Sequence, residues 1–590
     1  MCGIVGYIGK KRAAPVLIDG LYKLEYRGYD SAGIALQEAH GGTYILRRKG
    51  RVSGLECARE HVGNVGIGHT RWATHGAPSE ENAHPHSYRG ITLVHNGIVE
   101  NAFTLKEECL KRGETFSSET DSEVVAHLIA HAYQGDLLQA VREATSRLTG
   151  SYALVILCDS EPGRIVCARK YSPLIVGKRG EELFVASDVP ALAGEGMELF
   201  GLDDGEFASL EGGEITFYNA LGEEIFKEAA QIDCDEEVPV LRGHSHYMRK
   251  EMGEIPAVLA RLHSYSAQNN CFLGLNEVLC QTYHIHVVAC GTAYHAGLCA
   301  KYAIERLCRV PVEVFVASEY RYSNPIVQTN TLAIAISQSG ETADTLAAAQ
   351  LAREKGAYLL AVTNIAHSSL TRISDGVLFT HAGREIGVAA TKSFNAQLVT
   401  LYALCGALAK AKGLSIPPMD DFARLAEVTL EQAKALTAWA EELKTAKNIL
   451  FIGRGIDYCI ALEGSLKLKE ISYLPAEGYP AGELKHGTLA LIEENSPVIA
   501  VLTQKSLAEK TMNAVHEAYT RGARVYLVTN LPEYAERSEV GASIVFPACE
   551  EVFSPVLSVI PLQMLAYFTS LSRGHDPDKP RNLAKSVTVE

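Results

Sequence analysis

The chain has 590 residues, 47% of them hydrophobic and 21% charged, and carries a formal charge of −15. This is the composition of an ordinary globular protein, and at roughly 150 residues per unit the length predicts about four folding units. An acidic balance without a basic block excludes nucleic acid as the main partner, because backbone binding needs clustered Lys and Arg; a small anion needs only a local site. The 14 cysteines are scattered, with no Cys-x-x-Cys pair, which excludes a disulfide scaffold and a cysteine-rich zinc module. The sequence reads as having no leader and no apolar run long enough to cross a bilayer, so no membrane partner and a reducing, cytoplasmic location are expected.

Residues 1–225 read as one α+β domain. Ile4–Ile8, Ile91–Val94 and Tyr152–Leu157 are β-rich runs, and Pro15–Leu24 and Glu119–Ala132 have the three- and four-residue apolar spacing of helices. Cys2 follows the initiator Met, which aminopeptidase removes before small residues. The mature chain is then expected to start with a cysteine whose own α-amine, of pKa ~7.7–8.0, can accept the thiol proton directly or through a water. A second-position cysteine alone carries little weight.

Its neighbours carry more. Met1-Cys-Gly-Ile-Val-Gly6, Leu24-Glu-Tyr-Arg-Gly-Tyr-Asp-Ser-Ala-Gly33, Gly68-His-Thr-Arg-Trp-Ala-Thr-His75 and His95-Asn-Gly97 resemble, in order, the blocks of the N-terminal-nucleophile glutamine amidotransferases. The resemblance implies an αββα sandwich with Cys2 as nucleophile, and an oxyanion hole from Asn96 and the Gly97 N–H. It also implies glutamine recognition by Arg71, Thr74, His75 and Asp121, with Trp72 as an aromatic gate on an ammonia passage. Arg71 suits a carboxylate as a forked cation, and Asp121 suits an α-ammonium. His84 and His86 have no Cys or carboxylate at ligand spacing and are read as loop-ordering residues; no metal is expected.

The acidic run Asp233-Cys-Asp-Glu-Glu237 before Pro239 reads as part of a linker over 226–245. Beyond it, apolar strands alternate with helices, the α/β signature, and the pattern repeats. Glu354–Asn364 aligns with Thr520–Asn530 and Ala335–Ser339 with Val501–Lys505, both at an offset of 166, and Val288–Tyr294 aligns with Ile452–Tyr458 at 164. Three strand-end segments in the same order predict a duplicated domain, 246–415 and 448–575, joined by a helical connection over 416–447 and followed by a tail over 576–590. Ile334-Ala-Ile-Ser-Gln-Ser-Gly-Glu-Thr342 ends a strand in hydroxyls and glycine before a helix over Ala343–Arg353, a phosphate cradle at a helix start. A capping box with Ser339 as N-cap is the alternative, although it lacks the usual Glu or Gln three residues on. The second copy has Thr503-Gln-Lys-Ser506, which has lost the glycine and most hydroxyls, so one phosphate site is expected.

The doubled strand–Ser-Gln-Ser-Gly-Glu-Thr–helix unit resembles tandem sugar-isomerase domains, which implies flavodoxin-like parallel sheets and a bound phosphosugar. A glutaminase domain ahead of two such domains, with the tail Pro580–Glu590, resembles the glutamine-dependent phosphosugar amidotransferases over essentially the whole chain. That implies L-glutamine and fructose 6-phosphate as substrates, no cofactor, and a homodimer in which the His486 loop serves the neighbour. It also implies a sugar-phosphate site of Thr292, Ser337, Gln338, Ser339 and Thr342. Glu470 corresponds to the base that moves a proton between C1 and C2, with Lys467 nearby, His486 to the ring-opening acid/base, and Lys585 to the imine-forming lysine. Glu463, Lys467 and Glu470 share one helix face, where a surface salt-bridge stripe is the plain alternative. Ala293 and Ala390 stand where relatives usually carry serine. Losing one neutral hydrogen bond costs about 0.5–1.5 kcal/mol, so the site is expected to weaken and persist. An amidotransferase for another phosphosugar, or a phosphosugar-binding regulator, is the rival reading.

Overall fold

The computed structural model describes residues 2–38, 42–192, 196–231, 241, 243–267, 272, 274–366 and 368–588; the acidic run 233–237 lies outside them. The chain forms two compact units, Met1–Val238 with Ser586–Glu590, and Pro239–Lys585.

The first unit is built on an eight-stranded and a seven-stranded sheet. Strand Gly3–Ile8 lies inside the eight-stranded sheet, between Val65–Arg71 and Glu182–Ala186, and is antiparallel to both. Its alternation sorts the layers. Val5 and Tyr7 pack with helix Ala13–Leu24, whereas Ile4 and Ile8 face the other way, against Val94, Ala153, Val155 and Leu157 of the seven-stranded sheet. The far face of that second sheet is covered by helices Ala102–Lys111, Glu123–Ala132 and Leu137–Ser146. The layers therefore run helix, sheet, sheet, helix, the αββα sandwich. One helix starts later than its periodicity predicts. Helix Glu123–Ala132 begins four residues beyond Glu119, because the Glu123 carboxylate accepts hydrogen bonds from the Ser117 and Ser118 N–H groups at 2.8 and 2.6 Å. Those bonds hold 117–122 as a loop instead of a first turn.

The second unit holds two five-stranded parallel sheets. In one, Val312–Val316, His284–Ala289, Thr331–Ser337, Tyr358–Thr363 and Gly376–Phe379 lie side by side. In the other the order is Ala476–Pro480, Ile449–Gly453, Pro497–Leu502, Arg524–Thr529 and Ala542–Val545. Counted along the chain, both read 2-1-3-4-5, the flavodoxin-like order, as expected of a duplication. Helices Phe422–Gln432 and Thr437–Leu443, with a 3₁₀ turn between them, occupy the stretch between the two sheets. Helix Ala343–Glu354 has Thr342, not Ser339, at its N-cap; Gly340 at φ +67° turns the chain before the helix can start, which removes the Ser339 capping reading.

A correction concerns apolar runs. The stretch Glu551–Ser572 is long and apolar enough to cross a bilayer by length and composition, yet 94% of its most apolar window is buried. Helix Pro555–Ser572 spends that apolarity in the core, where it packs on helix Ile456–Ser472.

Candidate active sites

In the first unit, register places the nucleophile candidate. Gly3 pairs with Thr70, which brings Cys2 beside Trp72, whose N–H donates to the Cys2 Sγ at 3.3 Å. The next layer brings Asn96 to the same point, its Nδ2 donating to the Cys2 carbonyl at 3.0 Å. Gly97 has φ +143°, and a Cβ there would stand 2.1 Å from the Ser151 carbonyl oxygen; only glycine fits. Burial pushes the Cys2 thiol pKa up, so the thiol is held protonated until a base takes its proton.

The residues assigned to glutamine gather around this point. Arg71 is buried and donates to the carbonyls of His75, Gly76 (2.9 Å) and Ala77 (3.4 Å), so its guanidinium shapes the 75–77 turn. His75 Nδ1 lies 3.3 Å from Thr74 Oγ1 and 4.0 Å from Asp121 Oδ1. Asp121 is buried and accepts from the Val99 N–H at 2.8 Å. Trp72 is half-buried, edge-on to Tyr29 at 6.0 Å, and is therefore not a core aromatic.

Sequence reasoning missed the residues behind these. His69 Nε2 contacts the His95 carbonyl at 3.0 Å and Asn96 Oδ1 at 3.1 Å; as the donor, it fixes which way the Asn96 amide points. Burial lowers the His69 pKa to about 3, so the ring is neutral. His95 Nδ1 meets Ser122 Oγ at 2.8 Å, which ties the Asn96 strand to the residue after Asp121. Asp30 accepts from the Ala73 N–H at 2.9 Å and Arg27 pairs with Asp188 at 2.6 Å. The Leu24–Gly33 block thus anchors the loop after Arg71. Its sequence signal was present, Arg27 and Asp30 flanking Gly28, but not its target. His84 and His86 meet edge to face at 4.5 Å, and burial drives both pKa values well down.

In the second unit, helix Ile456–Ser472 carries Glu463, Lys467 and Glu470. They form a buried row, not a surface stripe: Glu463 is 0%, Lys467 1% and Glu470 20% exposed. Lys467 Nζ lies 2.6 Å from Glu470 and 3.6 Å from Glu463. Burial pulls the lysine pKa down, but the Glu470 and Glu463 carboxylates outweigh it and hold the pKa up. Helix Gly291–Cys308 faces the row: Thr292 Oγ1 donates to Glu463 Oε1 at 3.1 Å, and His295 Nδ1 meets Glu463 Oε2 at 2.7 Å. His295, one turn past Thr292, went unread because a helical histidine gives no signal by itself.

The Ser337–Thr342 turn leaves strand Thr331–Ser337 with Ser337 Oγ 2.9 Å from Thr342 Oγ1 and accepting from the Gly340 N–H at 3.1 Å. Ser339 Oγ accepts from the Glu341 N–H at 3.2 Å, and the Gln338 carbonyl accepts from Asn364 N–H at 3.1 Å. The second copy fills the same place with its own anion. Asp457, the counterpart of Ala293, accepts from the Thr503 N–H and Oγ1 at 2.9 and 2.5 Å; an inorganic anion there would meet a carboxylate. Ala293 packs against the core, and Ala390 is half-buried.

Lys585 Nζ sits 2.5 Å from Glu385, whose side chain is fully buried. Burial pushes the Glu385 pKa up, but Lys585 and the Ser393 and Thr391 donors outweigh it and hold it low. Among the described residues no hydrogen bond joins His486 to these groups: it ends the 3₁₀ turn Ala481–His486 and is exposed.

A family model described as a glutamine amidotransferase domain matches residues 69–194, and one described as a SIS domain matches 278–407 and 442–573. The glutamine–fructose-6-phosphate aminotransferases (isomerizing) of Clostridium tetani, Aquifex aeolicus and Thermus thermophilus are 46%, 45% and 46% identical to the chain, over the full length of both sequences. Among solved structures, the C-terminal domain of glucosamine-fructose-6-phosphate aminotransferase from Francisella tularensis is 37% identical with a TM-score of 0.55, covering 58% of this chain and 100% of that one. The chain belongs to the glutamine–fructose-6-phosphate aminotransferase (isomerizing) family.

Proposed function

We propose that the protein moves the amide nitrogen of L-glutamine to D-fructose 6-phosphate and isomerises the product. The outcome is D-glucosamine 6-phosphate and L-glutamate, the first step of amino-sugar synthesis. The observation that carries this reading is that one chain holds both a Cys2–Asn96–Gly97 cluster and a buried Glu463–Lys467–Glu470 row linked to Thr292.

With Met1 removed, the α-amine of Cys2 takes the thiol proton and the thiolate attacks the glutamine amide carbon. Asn96 Nδ2 and the Gly97 N–H stabilise the oxyanion, ammonia leaves, and water releases glutamate from the γ-glutamyl thioester. Arg71 and Asp121 orient the amino-acid end, assisted by Thr74 and His75, and Trp72 gates the ammonia. Ammonia kept from water escapes protonation and stays nucleophilic.

At the sugar, Ser337, Gln338, Ser339 and Thr342 hold the phosphate, and Thr292 spans the cradle and Glu463. His486 opens the ring and Lys585 captures the open-chain ketose as an imine, for which it must give up a proton; Glu385 is the adjacent carboxylate. Ammonia displaces the lysine at C2. Glu470 then takes a proton from C1 and returns it to C2, which turns the ketose imine into the aldose amine, while Lys467 neutralises the carboxylate between transfers. The exposed setting of His486 supports its serving a second copy in a homodimer.

Glu470→Gln tests the assignment: glutamate release should persist and amino-sugar formation should fall by at least about a hundredfold. Amino sugar at the parent rate would reject Glu470 as the base.

A further inference from the structure

A second group of ligand-type side chains stands in the first unit, apart from the Cys2 cluster. Helix Ala102–Lys111 runs into a turn carrying Glu114, and helix Glu123–Ala132 follows. Cys109 Sγ, a Glu114 carboxylate oxygen and a His127 ring nitrogen lie within 4.8 Å of one another, and all three residues are buried. Glu114 is a bridge, with Oε2 on His127 Nδ1 and Oε1 on His131 Nε2. His127 and His131 are four residues apart and so share a helix face. The four follow one another as Cys-x4-Glu-x12-His-x3-His. That is the spacing of the Cys-x2–4-Cys-x12-His-x3–5-His zinc modules with a carboxylate in the second cysteine's place.

We infer that Cys109, Glu114 and His127 form a site for a divalent cation of the zinc class, with His131 holding the Glu114 carboxylate in place. Three physical points carry this beyond spacing. The donor set of one thiolate, one carboxylate and one imidazole suits zinc with a water as fourth ligand, and tetrahedral ligands at 2.0–2.3 Å from the ion stand ~3.5 Å apart, a spread inside the 4.8 Å that bounds these three donor atoms. Charge is the second. Glu114 is only 3% exposed, and its ion-pair partners among the described residues are the two imidazoles. A divalent cation on one thiolate and one carboxylate sums to zero, which removes the buried net charge. Rigidity is the third. The His127 ring is stacked against Tyr88 and Phe116, at 3.6 and 4.2 Å, so the Nδ1 that meets Glu114 is already aimed.

The cation would clamp the two helices that flank segment 115–122, which carries Asp121. Binding would therefore stiffen one wall of the glutamine pocket without touching the substrate. A plain hydrogen-bonded Glu–His–His staple is the competing account, and it predicts no ion and no role for the thiol.

The test uses full-length protein carrying Cys2→Ala, so that the thiol in the glutamine pocket is silent, titrated with cobalt(II) and then zinc. One equivalent of cobalt should bind with a thiolate-to-metal charge-transfer band, zinc should displace it, and zinc should raise the thermal midpoint. Cys109→Ser should remove the band, and His131→Ala, at a half-exposed position that the fold tolerates, should weaken zinc binding at least about tenfold. The His284–His286–Glu313 group offers no thiol and cannot give the band. No charge-transfer band, a band that survives Cys109→Ser, or unchanged zinc affinity in His131→Ala would each overturn the site.

Discussion

Gly97 shows how one residue can fix the backbone donor proposed for the oxyanion. Its N–H can face an oxyanion only because the backbone takes φ +143° next to the Ser151 carbonyl. Gly97→Ala should cost about 1–3 kcal/mol of stability and remove most glutaminase activity, read by denaturant melts and glutamate release; parent-like activity would show that the N–H does not bind the oxyanion. Glu251 makes a second case. It is buried beside the Glu385–Lys585 pair, accepts from the Ile386 and Gly387 N–H groups, and leaves Oε2 without a hydrogen-bond partner among the described residues. Burial, then the Glu385 charge, raises its pKa from 4.5 to about 7. A raised folded-state pKa contributes stability that is full below the unfolded value and lost as pH rises through the folded one. Between pH 4.5 and 7 the parent should therefore lose stability relative to Glu251→Gln, by up to ~1.4 kcal/mol per pH unit. Urea midpoints across that range measure it, and parallel profiles would contradict it. Neither residue's setting was legible in the sequence. Cys2, Asn96 and Arg71 stood in contiguous blocks, whereas Glu251 and Glu385 meet Ile386 and Lys585, partners far away in the chain that no local pattern encodes.

At the scale of elements, helix Ile456–Ser472 presents the carboxylate–lysine row because it is buried on nearly all sides. Gly464 lets it approach helix Pro555–Ser572: a Cβ there would meet Leu562 Cδ1 at 2.5 Å and Phe451 Cε1 at 3.1 Å. Gly464→Ala should overpack this contact by about 1–3 kcal/mol and lower the thermal midpoint; an unchanged midpoint would mean the helices part without strain. Strands and helices with clear periodicity, such as Gly3–Ile8 and Ala343–Glu354, were readable to within a few residues. The start of helix Glu123–Ala132 was not, because the Glu123 side chain's capture of Ser117 and Ser118 competes with helix propensity. Burial of the row was also unreadable. Three charged residues on one face look like a solvated stripe until the packing of Thr292 and His295 against them is known.

For the whole molecule, two parallel sheets share one strand order, and Asp457 occupies the second copy's turn, which leaves the Ser337–Thr342 turn as the one proposed for the phosphate. Two chemistries in one chain also predict separable losses. Cys2→Ala should abolish glutamate release, by at least about a thousandfold, while fructose 6-phosphate binding stays at the parent value; loss of both would contradict independent sites. The most direct measurement supplies amide-¹⁵N glutamine, fructose 6-phosphate and excess unlabelled ammonium, and follows both products by mass spectrometry. The account predicts glucosamine 6-phosphate carrying the ¹⁵N label and formed in step with glutamate. Unlabelled amino sugar, or glutamate released with no amino sugar, would contradict it.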